Sequence, residues 1–151
     1  PLDLNQTVEA ALSLIQAEAR LYKIKLVKVL APNLPPVLGT PNQIQQIVIN
    51  LANNAIDAMP DQGTLTVETA LLKTEDRSWV TLSVTDTGSG IPEDILPRIF
   101  EPFFTTKPVG KGTGLGLGLV HEIVQKHSGQ ITVESQPGHT TFLVKFPIPT
   151  Y

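Results

Sequence analysis

The chain has 151 residues, 41% of them hydrophobic and 17% charged, with a formal net charge of −3. This length is enough for one well-packed core, so we expect a single domain over residues 1–151. The acidic balance argues against a nucleic-acid partner, and the absence of cysteine excludes disulfides, thiolate metal sites and a cysteine nucleophile. No apolar run approaches the roughly 20 residues of a membrane span, so we expect no direct membrane contact. Because the first residue is Pro1 and not methionine, we expect a fragment of a longer protein.

The first segment is predicted to be a helix capped by Asn5. Its apolar residues recur with the spacing of one buried helical face: Val8, Ala11, Leu12, Ile15, Ala19 and Tyr22. Residues 24–30 alternate in the manner of a strand, and the prolines within residues 31–36 then predict a loop.

A second helix is predicted over residues 42–59, and it carries two different faces. The apolar face consists of Ile44, Ile47, Val48, Leu51, Ala55 and Met59. The polar row beside it consists of Gln46, Asn50, Asn54 and Asp57. Asparagine is unfavourable inside a helix because its side chain competes for backbone hydrogen bonds, so this row requires an explanation. On its own the row favours a solvated face or an amide network over oxygen ligands for a hard cation such as Mg²⁺.

Residues 64–72 and 79–85 predict a hairpin that ends at Asp86-Thr87-Gly88-Ser89-Gly90. An acidic side chain beside two glycines could meet a flat ligand closely. The same tetrapeptide, Asp-Thr-Gly-Ser, also matches the active site of dimeric aspartic proteases. Those proteases consist almost entirely of strands, so the predicted helices argue against that alternative. An ordinary glycine-rich turn is the third interpretation.

The next segment predicts a short helix over residues 93–100 and a cluster of phenylalanines that anchors the base of a loop. Residues 105–113 are basic and polar, as in a mobile lid, and glycine occupies every second position from Gly110 to Gly118. The spacing fits neither a P-loop nor a dinucleotide fingerprint. A phosphate site at a helix start and a flexible loop both remain open.

The third helix is predicted to begin inside this glycine run and to end at Gly129, and residues 130–135 and 141–146 predict two closing strands. The buried face of that helix is predicted to comprise Leu117, Val120, Ile123, Val124 and His127. The three histidines share no metal-site spacing, and His127 is expected near the helix C-terminus.

Four segments together resemble, in order and spacing, the N, G1, F and G2 boxes of the sensor histidine kinases. They are Asn50-Leu51-Ala52-Asn53-Asn54-Ala55, Asp86-Thr87-Gly88-Ser89-Gly90, Phe100-Glu101-Pro102-Phe103-Phe104 and Gly112-Thr113-Gly114-Leu115-Gly116-Leu117. The resemblance is to the catalytic ATP-binding domain and covers nearly the whole chain. It implies the Bergerat fold, an α+β two-layer sandwich. Its mixed, mostly antiparallel sheet of about five strands is covered on one face by three helices.

The resemblance also implies roles for individual residues. Asn54 would coordinate Mg²⁺, Asn50 would face phosphate or metal-bound water, and both count as catalytic. Asp86 would accept the adenine amino group, and Thr140 would support the pocket. The other residues implied to bind the nucleotide are Asp57, Gly88, Gly90, Ile91, Phe103, Lys107, Lys111, Gly112, Thr113, Gly114, Leu115, Gly116 and Leu117.

The implied function is to bind ATP with Mg²⁺ and to donate the γ-phosphoryl group to a histidine on a separate dimerisation domain, from which a response regulator receives it. Related ATPases carry a glutamate base where this chain has Asn50, and an amide cannot take up a proton, so transfer is favoured over hydrolysis. No segment resembles the histidine-bearing domain, so the fragment is not expected to phosphorylate itself. The alternatives are a nucleotide-binding regulatory module or a serine-directed kinase of the same fold.

We further expect a monomeric fragment, a homodimeric parent protein and a cytoplasmic location, whether or not the parent is anchored in a membrane. Three positions depart from the family pattern. Thr40 replaces a common aspartate, Gly118 a serine and His139 a glycine.

Overall fold

The computed structural model describes residues 1–101 and 116–149. The helices are α1 (Leu4–Leu21), α2 (Pro41–Asp57) and α3 (Gly116–Lys126), and a 3-10 turn spans Leu96–Arg98. The strands are β1 (Ile24–Leu30), β2 (Gly63–Lys73), β3 (Ser78–Asp86), β4 (Gln130–Gln136) and β5 (His139–Pro147). None of these helices is both long enough and apolar enough to cross a membrane.

The strands form one sheet in the order β1-β2-β3-β5-β4. Only the β1–β2 pair is parallel, and the other three pairs are antiparallel. Alternate residues of the central strands pack with the helices in one core, including Leu82 of β3 and Phe142 of β5. The predicted α+β sandwich, with three helices on one face of a mixed sheet, is confirmed.

Helix α1 starts two residues earlier than the sequence predicts. Asp3, not Asn5, is the N-cap, and its Oδ1 accepts a hydrogen bond of 3.3 Å from Gln6 N–H. Asn5 instead lies inside the helix, and its side chain donates to the Ala31 carbonyl at 2.7 Å. Tyr22, predicted on the buried face, follows the helix and is 38% exposed.

The predicted helix over residues 93–100 is wrong, because the structure has only a 3-10 turn there. Pro97 lies in the middle of this segment, where its missing N–H and its ring oppose a regular α-helix.

Helix α3 ends at Lys126, before the predicted end at Gly129. Ser128, with φ of 58°, adopts the left-handed conformation after the helix, whereas Gly129 does not. Gly129 has a different constraint, since a Cβ there would lie 2.5 Å from the Lys145 carbonyl oxygen of β5.

Helix α2 packs between α1 and α3. The apolar positions of α2 are buried, and Met59, just beyond its end, is 2% exposed. This central position matters for the site, because α2 also carries the polar row. Its Asn50 and Asn54 lie outside the buried stripe and are only partly covered.

Candidate nucleotide-binding site

The polar row of α2 reaches the start of α3 through two hydrogen bonds. Gln46 Nε2 donates to Asn50 Oδ1 at 2.7 Å, and Asn50 Nδ2 donates to the Gly116 carbonyl at 3.3 Å. Gly116 is the first residue of α3 and the fourth glycine of the alternating run. A helix start offers unpaired N–H groups and the positive end of the helix dipole. Residues 50 and 116, which are 66 positions apart in sequence, therefore lie together at an anion-favouring position.

The two asparagines next along α2 present amide oxygens with no partner among the described residues. Asn53 Oδ1 is buried and accepts no hydrogen bond, and the Asn54 amide is half-buried and free of contacts to other described polar groups. Amide oxygens are ligands that Mg²⁺ accepts, with phosphate and water completing its shell. Within residues 1–101 and 116–149, no group of three or more histidine, aspartate or glutamate side chains is arranged to hold a metal ion.

Asp86 ends β3 in the middle of the sheet, next to Thr140 of β5. The residue is only 3% exposed, and its Oδ1 accepts a hydrogen bond of 2.8 Å from Gly88 N–H. Burial raises the pKa of the Asp86 carboxyl, while the Gly88 hydrogen bond and the nearby His139 oppose that rise. Because this carboxyl is shielded from water, the polar N–H group of a ligand is a suitable hydrogen-bond donor for it.

The loop of residues 86–90, called the Asp86 loop below, contains two glycines that lie too close to other backbone groups for a side chain to fit. A Cβ on Gly88 would lie 2.4 Å from the Ala58 carbonyl oxygen, at the C-terminal end of α2. Gly90 has φ of +86°, and a Cβ there would lie 2.8 Å from the Gln136 carbonyl oxygen. The loop is thus held between α2 and the β4–β5 turn. The role that the family resemblance implies for both glycines, to let a base lie close, stays a prediction.

A small hydroxyl network supports the same loop from β4 and β5. Thr140 Oγ1 and Ser135 Oγ lie 2.7 Å apart, and Ser135 Oγ accepts a hydrogen bond of 2.7 Å from Ile91 N–H. Thr140 is 3% exposed. The role of Thr140 in supporting a nucleotide pocket stays a prediction. Ser135 was missed, because a serine in a strand carries no spacing that distinguishes it.

Aromatic contacts join the two chain segments that border residues 102–115. The centroid of the Phe100 ring lies 5.4 Å from that of the His121 ring of α3. It lies 6.3 Å from the centroid of the Phe142 ring, and these two phenylalanine rings meet edge to face. Leu117 is partly buried against the core. Asp57 is exposed at the last turn of α2. Seven predicted site residues lie outside the described residues and stay predictions: Phe103, Lys107, Lys111, Gly112, Thr113, Gly114 and Leu115.

Residues 39–150 match the family model described as "Histidine kinase-, DNA gyrase B-, and HSP90-like ATPase". The chain belongs to this family. Among curated proteins it is 38% identical over 146 residues to sporulation kinase E of Bacillus subtilis, covering 96% of this chain and 19% of that protein. It is 39% identical over 148 residues to the sensor histidine kinase ZraS of Escherichia coli K12, covering 97% and 30%. The chain thus spans less than a third of the length of these two relatives.

Solved structures place the chain with the catalytic ATP-binding domains of sensor histidine kinases. The nucleotide-free catalytic domain of the histidine kinase ThkA has a TM-score of 0.85 at 30% identity, covering 97% of this chain and 93% of that one. Full-length ShkA in complex with AMPPNP also has a TM-score of 0.85, at 27% identity, covering 100% of this chain and 31% of that one. Membership in this family, together with the helical layer on the sheet, excludes the aspartic protease alternative.

Proposed function

We propose that this histidine kinase domain binds ATP with Mg²⁺ and presents the γ-phosphoryl group to a histidine on a separate domain. One observation carries the proposal: α2 contacts both predicted halves of the site. Asn50, in the middle of α2, bonds to Gly116 at the start of α3. The carbonyl of Ala58, at the C-terminal end of α2, accepts a hydrogen bond of 3.4 Å from Ser89 N–H in the Asp86 loop. Eight residues of helix separate these contacts by about 12 Å, a span that an extended nucleoside triphosphate can bridge.

At the base end, Asp86 would accept the adenine amino group. Its carboxyl is already oriented by Gly88 N–H, and Thr140 lies beside it in the sheet. Because the carboxyl is buried, a hydrogen bond to it is made away from water and discriminates strongly against a base that lacks the donor.

At the phosphate end, the start of α3 would receive the phosphates, and Asn50 would contribute the amide N–H that does not bond to Gly116. Asn54 would supply an oxygen to Mg²⁺, with the partnerless Asn53 Oδ1 close by in sequence. The ion, when bound, neutralises phosphate charge. The protein's own part is to hold the chain of phosphates between two fixed helices.

Phosphoryl transfer is proposed in preference to hydrolysis because of the residue at position 50. A hydrolytic site needs a base that activates water, and the amide of Asn50 takes up no proton. Transfer to an imidazole requires mainly positioning and charge stabilisation. We propose that the acceptor histidine lies on a dimerisation domain of the parent protein, that a response regulator takes the phosphoryl group, and that the domain acts as a monomer in the cytoplasm.

Calorimetric titration with ATP and ADP, with and without Mg²⁺, tests the binding step. We expect saturable binding that Mg²⁺ tightens for ATP, and that Asn54→Ala weakens about tenfold, in line with the loss of a metal-bound oxygen. Asn42→Ala, at an exposed position in the first turn of the same helix, serves as the matched control and leaves affinity unchanged. No binding at millimolar nucleotide would exclude the proposal.

The transfer step needs a second assay, with the histidine-bearing domain of the parent added to this domain and labelled ATP. Labelled phosphohistidine supports a histidine kinase. Nucleotide binding without any label on histidine would favour the regulatory-module alternative, and label on serine would favour the serine-directed kinase.

A further inference from the structure

The hydrogen bonds from Gln46 through Asn50 to Gly116 have only one possible direction. A backbone carbonyl can only accept, so Asn50 must present its Nδ2 to the Gly116 oxygen. The other end of the same amide, Oδ1, then faces Gln46 and can only accept, so Gln46 must present Nε2. The orientation of both amides therefore follows from the chemistry of a single carbonyl group.

We propose that Gln46 is a positioning residue for phosphate binding, which fixes the amide of Asn50 with its NH₂ group toward the start of α3. The inference rests on the proposed function. Nδ2 carries two hydrogens, and only one is used by the Gly116 carbonyl. The second remains available to a phosphate oxygen in the region where the glycine run enters α3.

The opposite orientation of Asn50 would be unfavourable on two counts. Its Oδ1 would face the Gly116 carbonyl oxygen, which places two acceptors together without a hydrogen between them. The same oxygen would also face an incoming phosphate, which carries negative charge. Gln46 prevents this by occupying Oδ1 from the other side, one helical turn away.

This arrangement gives Asn50 and Asn54 different tasks. With Oδ1 of Asn50 occupied by Gln46, Asn50 acts as a hydrogen-bond donor. Asn54, whose amide has no partner among the described groups, keeps its oxygen available for a cation. The hydrogen bond to Gly116 also ties the last part of the glycine run to α2 before nucleotide arrives.

Variants of Gln46 that reverse, keep or remove its hydrogen bond test the inference. Gln46→Lys can only donate, so it retains the orientation of Asn50, whereas Gln46→Glu can only accept and reverses it. Gln46→Met removes the bond at similar volume. Because Lys and Glu also change the charge near the phosphates, Gln45→Lys and Gln45→Glu are the matched controls, one residue away on the same helix.

We expect Gln46→Glu to bind Mg²⁺-ATP about tenfold more weakly than Gln45→Glu, the effect of a lost hydrogen bond to a charged group. Gln46→Lys should stay within about twofold of Gln45→Lys. AMP affinity separates positioning from general damage to the fold. The AMP affinity of the Gln46 variants should differ little from that of the Gln45 controls, because AMP lacks the distal phosphates that would lie near Asn50.

NMR of the nucleotide-free domain reads the orientation directly. A nuclear Overhauser contact between the Asn50 side-chain NH₂ and Gly116 is expected in the natural protein and in Gln46→Lys, and lost in Gln46→Glu and Gln46→Met. Backbone amide spectra of all variants confirm folding. If the natural protein fails to bind nucleotide, the proposed function is wrong and this inference falls with it. If it binds while the contact or the affinity difference between Gln46→Glu and Gln45→Glu is absent, the inference alone is overturned.

Discussion

Thr40 and His127 join the start of α2 to the end of α3. Thr40 N–H donates to His127 Nε2 at 3.2 Å, and the other ring nitrogen, Nδ1, lies 2.8 Å from the Ile123 carbonyl oxygen. Because Nε2 accepts, the ring hydrogen must be on Nδ1, where it donates to that carbonyl. The polar row of α2 and the start of α3 are already connected through Asn50 and Gly116. The two helices that flank the proposed phosphate site are therefore fastened to each other at two separate points.

We expect His127→Ala to lower the free energy of unfolding by about 1–3 kcal/mol, mainly because it removes ring atoms packed beside Phe146. The Thr40 N–H is exposed and bonds to water instead. The ring is closely fitted, because a Cβ on Gly39 would lie 2.8 Å from its Cδ2 atom. Urea unfolding measures the change. Gln125→Ala, exposed on the same helix, is the control, and an equal loss in both variants would contradict the role given to His127.

The free energy of unfolding should depend on pH through Asp86. Burial raises the pKa of this carboxyl above its ordinary value of 3.8, so the folded protein keeps the proton to a higher pH than the unfolded chain does. The folded state binds more protons in that window, and its stability relative to Asp86→Asn must fall as pH rises from about 3.8 through the folded pKa, then level off.

Urea unfolding of both proteins over the acidic range checks this, with Asp94→Asn at an exposed position as the control for removing a carboxyl. A difference between the natural protein and Asp86→Asn that rises with pH would show that the Gly88 hydrogen bond outweighs burial.

Gly90 and Gly138 allow the energetic cost of a positive φ to be measured separately from the cost of a close Cβ contact. Both have φ of +86°, but a Cβ on Gly90 would lie 2.8 Å from the Gln136 carbonyl oxygen, whereas a Cβ on Gly138 would meet nothing within 4 Å among the described residues. We expect Gly138→Ala to cost about 1 kcal/mol for the conformation alone, and Gly90→Ala to cost about 1–3 kcal/mol more. Thermal or urea unfolding gives the comparison. Equal losses would mean that the loop moves aside without cost.

Thr69 is the centre of a buried polar connection between α1, β1 and β2. Its Oγ1 donates to Asn5 Oδ1 at 2.6 Å and accepts from Ala31 N–H at 3.0 Å. Thr69→Val keeps the shape but leaves both partners unsatisfied, so we expect a loss of about 1–3 kcal/mol in the free energy of unfolding. Thr66, on the opposite face of the same strand, has no such side-chain partners among the described residues, so Thr66→Val should change stability by less than about 0.5 kcal/mol. A neutral Thr69→Val would indicate that water replaces the hydroxyl.

The sequence by itself determined the elements whose pattern is long and regular. The apolar faces of α1, α2 and α3 and the alternation of the strands led to the α+β sandwich, because burial of one face imposes a period that can be read along the chain. Four ordered boxes then led to the histidine kinase family. Prediction failed where a nearby residue had a stronger effect than the one considered. Asp3 caps α1 in place of Asn5, and Pro97 limits residues 96–98 to a 3-10 turn.

Only the tertiary structure decided what the polar residues of the site contact. The spacing of Gln46, Asn50 and Asn54 placed them on one helical face, but it could not tell which amide group would donate and which would accept. That was settled by the Gly116 carbonyl, which approaches from another helix. In the same way, Gly88 and Gly90 are required by carbonyl groups of residues 58 and 136, contacts made only when α2 and the β4–β5 turn close around the loop. Hydrogen-bond direction and close backbone approach depend on partners distant in sequence, and for that reason no local pattern specifies them.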